Sequence, residues 1–230
     1  MKLIIKNGVE PTALKQYRST PGADYENMPT DIKDIIRSTL YQEQGGICCY
    51  CMKRISLDYG NTKIEHFKPR NIYNGKDGKE NLKLNYNNLL LACKGEEMDS
   101  NNNKVSCCDS KKGETELLFV NPLDQNIESK FYYTSSGEIT SHEESIKNEI
   151  KAILNLNNQT LKNLRKKVYE HIKQRINKAV EQKKCSLGLL NSLRKEWYEP
   201  DKMGLFKPFC MVAVYLIDKK IKEYTYKQKK

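Results

Sequence analysis

Apolar and polar positions at the start of the chain predict two short elements. A strand is predicted over residues 2–5, followed by a proline-bearing turn. A helix is predicted to begin at Thr30, which can cap it. Apolar residues then recur at helical spacing at Ile32, Ile35, Ile36 and Leu40. Gly45 and Gly46 are predicted to end this helix, so residues 1–45 form a predicted helical lead.

The middle segment, residues 46–122, alternates short apolar runs with Asn, Gly and Lys. Two strands are predicted in it, over residues 62–67 and 88–93, because each run is short and bounded by turn residues. Residues 94–106 are polar and predict an exposed loop, and a helix is predicted over residues 109–116.

The last segment, residues 123–230, is predicted to be mainly helical. Apolar residues at helical spacing run through 146–154 and 161–180, and a further helix over 187–197 stops before a proline. The stretch 208–224 is the most apolar in the chain. It is expected to be either the core of the helical region or a docking surface.

Charge and composition narrow the class of protein. The 230 residues include 40 Lys and Arg against 29 Asp and Glu, a formal net charge of +11. This excess favours a polyanionic partner such as nucleic acid, although a lysine-rich solubilising surface would give the same total. No apolar run approaches the roughly 20 residues that span a bilayer, and the opening does not resemble a signal peptide. We therefore expect no membrane association and a cytoplasmic location.

Six of the eight cysteines fall between residues 48 and 108, which indicates metal binding more than packing. Cys48 and Cys51 form a C-x-x-C pair, whose spacing lets two sulfurs reach one tetrahedral ion. Cys93 and Cys108 are the expected second pair, with Cys107 competing for the fourth position. A filled four-cysteine zinc site would be structural, and a redox-active C-x-x-C is the alternative.

The chain has three histidines. His142 lies in a polar stretch and is expected to be a solvated surface residue, whereas His171 lies in the longest helical pattern and is expected to cover that helix. His66 differs, because it follows Glu65 in the segment IEHFKP at the end of a predicted strand. A lone histidine of this kind is more often structural than catalytic, so its neighbours along the chain decide its interpretation.

Four motifs follow one another: Cys48-x-x-Cys51, Glu65-His66, Asn88-Leu89 leading to Cys93, and Cys108-Asp109-x-x-Lys112-Gly113. This order resembles the zinc-bearing form of the HNH endonucleases. It is most similar to the PtuB-like HNH subunit of Septu-type and retron-associated anti-phage systems. The resemblance covers about residues 40–115 and implies an α+β fold. In that fold a small ββα-metal (His-Me finger) core is held by a four-cysteine zinc site and flanked by an N-terminal helix and a C-terminal helical region.

The resemblance also implies a role for each matched residue. His66 corresponds to the general base, and a neutral imidazole suits that task near pH 7. Glu65 and Asp109 correspond to ligands of a catalytic Mg²⁺ or Mn²⁺ ion, for which carboxylate oxygens are suitable. Asn88 corresponds to the asparagine that fixes the histidine loop. Lys112, one helical turn from Asp109, could neutralise the scissile phosphate.

The function implied is hydrolysis of phosphodiester bonds by the effector subunit of an anti-phage complex with a PtuA-like ATPase partner. DNA is the default substrate, and RNA, including transfer RNA, is the alternative. The apolar stretch 208–217 or the helical stripe over 158–180 is a candidate docking surface for the ATPase. The competing hypothesis is a non-catalytic zinc module that binds nucleic acid or a partner protein.

Overall fold

The computed structural model describes residues 1–58, 60–98 and 102–228, with side chains through residue 226. Residues 99–101, within the loop predicted over 94–106, and residues 229–230, at the end of the predicted helical region, lie outside the described residues. The described residues form seven α-helices and six short strands, which pair into three separate antiparallel sheets of two strands. This mixture of helices and small sheets confirms the α+β class.

The N-terminal segment is more helical than its sequence pattern predicts. Helix α1, Thr12–Arg18, occupies the predicted turn, and α2, Thr30–Glu43, follows it. Thr30 is the first residue of α2 and makes no capping hydrogen bond, so the predicted cap is wrong. Gly45 and Gly46 end α2 with φ of 56° and 66°, as predicted.

The strand predicted over residues 2–5 is also absent. Ile4 N donates to Pro122 O at 2.9 Å, and the side chains of Met1 and Ile4 are buried. The segment is therefore fixed by core packing and this backbone bond rather than by a ladder of strand hydrogen bonds.

Strands β1, Thr62–His66, and β2, Leu89–Cys93, pair antiparallel with Thr62 opposite Cys93 and His66 opposite Leu89. Both agree with the predicted strands to within one residue. Every residue of β2 is buried, which explains its continuous apolar run. Helix α3, Cys108–Lys112, contacts β2 and is shorter than predicted, because the chain turns away at Gly113 with φ 52°.

The exposed loop predicted over 94–106 contains a second strand pair, and this prediction is wrong. Strand β3, Glu96–Met98, pairs antiparallel with β4, Lys104–Ser106. Glu97 in β3 is buried and forms a 2.6 Å ion pair with Lys53. A polar residue therefore occupies the inward position of β3, so the strand lacks the apolar alternation that predicts one.

The C-terminal segment is mainly helical but contains a small strand pair that its sequence pattern does not predict. Its elements are a 3₁₀ turn at Ile127–Lys130, β5 at Tyr132–Tyr133, β6 at Ile139–Thr140, α4 at Glu144–Asn148 with a π-helical turn at Glu149–Ile153, α5 at Gln159–Glu181, α6 at Leu187–Tyr198 and α7 at Cys210–Gln228. Helix α7 packs against both α5 and α6. Among the helices of the described residues, none combines the length and apolar character that crossing a membrane requires.

The apolar stretch around the start of α7 belongs to the core. Phe209, Val212, Val214 and Ile217 are all buried, and so are Leu161, Ile172 and Ile176 of α5. This confirms the core interpretation of 208–224. It also contradicts the expectation that the apolar faces of 208–217 and 158–180 form docking surfaces, because those faces are turned inward.

Apolar side chains from all three segments join in one continuous core. Two buried charged residues fix the helical region against its neighbours: Glu149 accepts backbone N–H bonds from residues 118–120, and Arg165 donates to the carbonyl oxygens of Gly137 and Leu156. Cys108 N donates to Leu154 O at 2.9 Å. The start of α3 is therefore anchored on the helical region.

Candidate active site and metal centre

Four cysteines come together in the fold. Two lie in the turn after α2, one at the end of β2 and one at the start of α3. The Sγ atoms of Cys48, Cys51, Cys93 and Cys108 all lie within 4.8 Å of one another, and all four side chains are buried. The turn that carries the first pair is closed by Met52 N donating to Cys48 O at 3.1 Å. Lys53 N also points at Cys51 Sγ, at 3.4 Å, as backbone amides do around metal-bound thiolates.

The spacing of these sulfurs fits a tetrahedral ion. Four sulfurs held at about 2.3 Å from a zinc ion lie about 3.8 Å apart, and Cys51 Sγ is 3.8 Å from Cys93 Sγ. The cluster could therefore hold zinc. Among the described residues, the fourth member is Cys108 and not its neighbour Cys107. Cys108 adopts φ 53°, a conformation that is uncommon outside glycine and tends to persist where a site demands it.

A cleft of about 380 Å³ opens between residues of β1 and α3. Glu65 and His66 from the end of β1 line it together with Asp109 from α3. In an ideal strand consecutive side chains point to opposite faces. Here Glu65 and His66 both reach the cleft, and β1 ends at His66, where the regular alternation stops.

The imidazole of His66 is buried, held in one orientation and neutral. Its Nε2 atom lies 2.9 Å from Lys83 O. A carbonyl oxygen can only accept, so Nε2 carries the proton and Nδ1 is left as the acceptor. Burial lowers the pKa of His66 to about 4, helped by the nearby cations Arg70 and Lys112 and opposed by the hydrogen bond to Lys83 O. The ring is therefore a neutral base at pH 7.

Glu65 is 2% exposed and has two donors on one oxygen. Tyr50 OH donates to Oε1 at 2.6 Å, and Lys112 Nζ lies 2.9 Å from the same atom. The carboxyl also shares a side-chain hydrogen bond with Asp109, which lines the same cleft. Burial and the adjacent Asp109 carboxylate raise the pKa of Glu65 well above its ordinary value, outweighing the opposite effect of Lys112.

Asp109 is more open than Glu65. Its side chain is 20% exposed, and its Oδ2 lies 4.0 Å from Lys63 Nζ at the rim of the cleft. Lys63 is held there by a 2.6 Å hydrogen bond to Ser110 Oγ. Two carboxylates this close repel each other until a proton or a cation lies between them. The pair could therefore hold a divalent ion, with other oxygens completing its shell.

Lys112 and Asn88, the other two predicted site residues, lie beneath the cleft. Lys112 is 2% exposed and donates to His66 O at 3.1 Å as well as to Glu65, so its ammonium faces the interior. Asn88 accepts from Lys68 N at 2.7 Å and donates to Lys68 O and Leu82 O. Asn88 thus connects the two ends of the loop that follows His66.

Three residues at the site gave no sequence signal. Tyr50 lies between two cysteines of the cluster, so the sequence places it near the zinc site but does not predict its contact with Glu65. Lys83 acts through its backbone carbonyl, which no residue type reveals. Tyr25 lines the cleft from the segment between α1 and α2, and only the tertiary fold brings it to His66. As expected, His142 is exposed, and His171 is exposed as well.

No protein-family model matches the chain. A stretch of 108 residues is 32% identical to the "Retron Vc95 putative HNH endonuclease" of Vibrio cholerae serotype O1 biovar El Tor, covering 47% of each protein. The chain thus spans about half the length of the curated relative that it matches. This partial similarity supports a relation to the HNH endonucleases at the level of the family.

Proposed function

We propose that this chain is a metal-dependent HNH endonuclease that hydrolyses phosphodiester bonds of nucleic acid. The observation that carries the proposal is the cleft in which the carboxylates of Glu65 and Asp109 lie beside the neutral imidazole of His66. The name of the partial relative and the net charge of +11 point to the same substrate class.

Two metals have separate tasks in this proposal. Zinc on Cys48, Cys51, Cys93 and Cys108 is structural, because four thiolates leave no open position for water. Mg²⁺ or Mn²⁺ is held by Glu65 and Asp109, whose oxygens suit hard cations. When bound, that ion supplies stabilisation of the negative charge that builds on the phosphate and on the leaving oxygen.

The chain's own residues provide the base and the positioning. Nδ1 of His66 takes a proton from water while the water oxygen attacks phosphorus and the bond to the leaving oxygen breaks. Lys63 and Arg70, which line the cleft, are the cations placed to bind the phosphate. Lys112 holds Glu65 and the backbone of His66 from beneath, so we assign it a positioning role instead of phosphate neutralisation.

The organisation follows from this assignment. β1, β2 and α3 correspond to the two strands and the helix of a ββα-metal core. On this view residues 46–122 are the nuclease core and residues 1–45 its helical lead. Residues 123–230 are a helical region for packing and, through its exposed surface and not the buried apolar faces, for docking a partner.

The biological setting is an extension of the proposal. The relative is named for a retron, and the motif pattern resembles the PtuB-like subunits of anti-phage systems. We therefore propose that the chain is the effector of such a complex, working with a PtuA-like ATPase in the cytoplasm, where thiols stay reduced. DNA is the first candidate substrate and transfer RNA the second. Weak cleavage alone and strong cleavage with the ATPase is the expected behaviour.

The test is cleavage of supercoiled plasmid and of total RNA by purified protein, alone and with the ATPase, in Mg²⁺, Mn²⁺ or EDTA. Asp109→Asn is expected to lose metal-dependent cleavage, while Asp31→Asn, an exposed control in the first turn of α2, keeps it. If the wild type cuts neither substrate under any of these conditions, the nuclease proposal is rejected. Binding of nucleic acid without cleavage would then favour the non-catalytic zinc module.

A further inference from the structure

The segment that joins α1 to α2 passes over the candidate general base. The ring of Tyr25 meets the ring of His66 edge-on, with centroids 4.4 Å apart and planes at 86°. This is the favoured geometry for two such rings, and it restricts rotation of an imidazole whose outer torsion is otherwise soft. Tyr25 lies outside every motif that identifies the site.

The same segment also holds the hydrogen-bond partner of His66. The carbonyl of Lys83 accepts from Nε2 of His66 at 2.9 Å. The ammonium of Lys83 pairs with Asp24 at 2.9 Å and with Glu26 at 3.3 Å, the two residues that flank Tyr25. One short segment therefore contacts the imidazole directly and also fixes the residue that sets its tautomer.

Helix α1 anchors this arrangement. Tyr17 OH donates to Asp24 O at 2.8 Å, and Arg18 donates to Leu84 O at 3.1 Å, next to Lys83. The guanidinium of Arg70, which also lines the cleft, lies 5.2 Å from the centre of the Tyr25 ring and pairs with Glu26 at 3.1 Å. Tyr25 is thus held in place independently of the cysteine cluster.

We propose that Tyr25 is a positioning residue for His66. Its ring and the flanking carboxylates keep the imidazole in one orientation with Nε2 protonated, so that Nδ1 faces the attacking water. The proposal rests on the proposed function of His66 as a general base. It makes the N-terminal lead a working part of the active site, because a displacement of about 1 Å in a reacting group can cost a factor of about 100 in rate.

The first test reads the imidazole itself, without substrate. The chain has three histidines, so ¹⁵N spectra of zinc-loaded protein at neutral pH can be assigned with the His66→Ala variant. We expect His66 of the wild type and of Tyr25→Phe to show a single Nε2–H tautomer, and Tyr25→Leu to show a mixture of tautomers. Tyr132→Leu is the matched control, because Tyr132 packs on another histidine, His142, at 4.8 Å. It should change the His142 signals and leave those of His66 unchanged.

The second test is kinetic. Tyr25→Leu is expected to lower kcat about tenfold with KM within about twofold, since orientation of the base is lost while substrate contacts remain. Tyr25→Phe, which keeps the aromatic ring, should have the wild-type kcat. Tyr17→Phe, which removes only the hydroxyl that holds Asp24, should cause a smaller loss and provides a mild variant should Tyr25→Leu fold poorly.

Each outcome separates the two proposals. If Tyr25→Leu keeps the single tautomer and the wild-type kcat, the positioning role is rejected while the nuclease proposal stands. A rise in KM alone would also reject it, because the loss would then lie in substrate binding, through Tyr25 itself or through Arg70, which packs on its ring. If the tautomer changes as expected but the wild type never cleaves nucleic acid, the proposed function is rejected and the effect of Tyr25 on the His66 ring is supported.

Discussion

Replacing Lys112 by methionine tests how the buried centre of the site is held together. Its ammonium lies 2.9 Å from Glu65 Oε1, and the two side chains are only 1% and 2% exposed. Removing one partner of such a pair costs about 3–5 kcal/mol, because the other charge stays buried. The pKa of Glu65 is already raised by burial and by Asp109, so the carboxyl can take up a proton and limit the loss. We therefore expect the lower end, about 3 kcal/mol.

For a chain of this length, about 3 kcal/mol corresponds to a fall in Tm of roughly 6–12 °C. Thermal unfolding followed by circular dichroism, with urea unfolding beside it, measures the change. Lys111→Met is the matched control, because Lys111 is the preceding residue of α3 and is exposed. It should shift the free energy of unfolding by less than about 0.5 kcal/mol. Unchanged stability of Lys112→Met together with a raised KM for nucleic acid would refute the reasoning and make Lys112 a phosphate-binding residue.

Three further predictions concern the zinc ligands, the loss of stability at alkaline pH and the loop that follows His66. Cys108→Ser is expected to lose bound zinc and Cys107→Ser to keep it. Mass spectrometry measures the metal content of both variants, and loss of zinc from Cys107→Ser alone would overturn the ligand assignment. Burial raises the pKa of Cys210 from about 9 to about 11, so the folded chain keeps a proton that the unfolded chain releases. This contribution to the free energy of unfolding should be fully present below pH 9 and should fall by up to about 3 kcal/mol between pH 9 and 11. Urea titrations measure the fall, and Cys210→Ala should remove this part of it. Asn88→Ala removes bonds to Lys68 and Leu82, so unfolding should cost about 2–3 kcal/mol less, and a loss below about 0.5 kcal/mol would contradict its role in fixing the loop.

The part of the site that could be predicted depends on the spacing of residues close together in the sequence. The two residues between Cys48 and Cys51, and the apolar run that ends at Cys93, are short-range patterns with one simple structural solution. The β1–β2 pair and the cysteine cluster therefore agree with the sequence prediction. The approach of Glu65, His66 and Asp109 to a common cleft followed from motif order, which already encodes a tertiary arrangement.

Contacts between distant segments could not be predicted in this way. Helical spacing placed Lys112 on the side of Asp109, but its burial depends on Glu65 from another strand. Glu97 is buried in β3 because Lys53 neutralises it, so its polarity gave the wrong prediction of a loop. Tyr25 reaches His66 through a segment without regular structure, and no periodicity records such a contact.

Single-turnover cleavage by His66→Ala tests the central claim most directly. The comparison is with wild type and with His142→Ala, which removes an exposed histidine, in Mg²⁺ and in Mn²⁺, alone and with the ATPase. Zinc content and unfolding free energy are measured on the same samples. The account predicts a rate about 10²–10⁴ lower for His66→Ala, with zinc retained and His142→Ala at the wild-type rate. Equal rates for His66→Ala and wild type in every condition would contradict it.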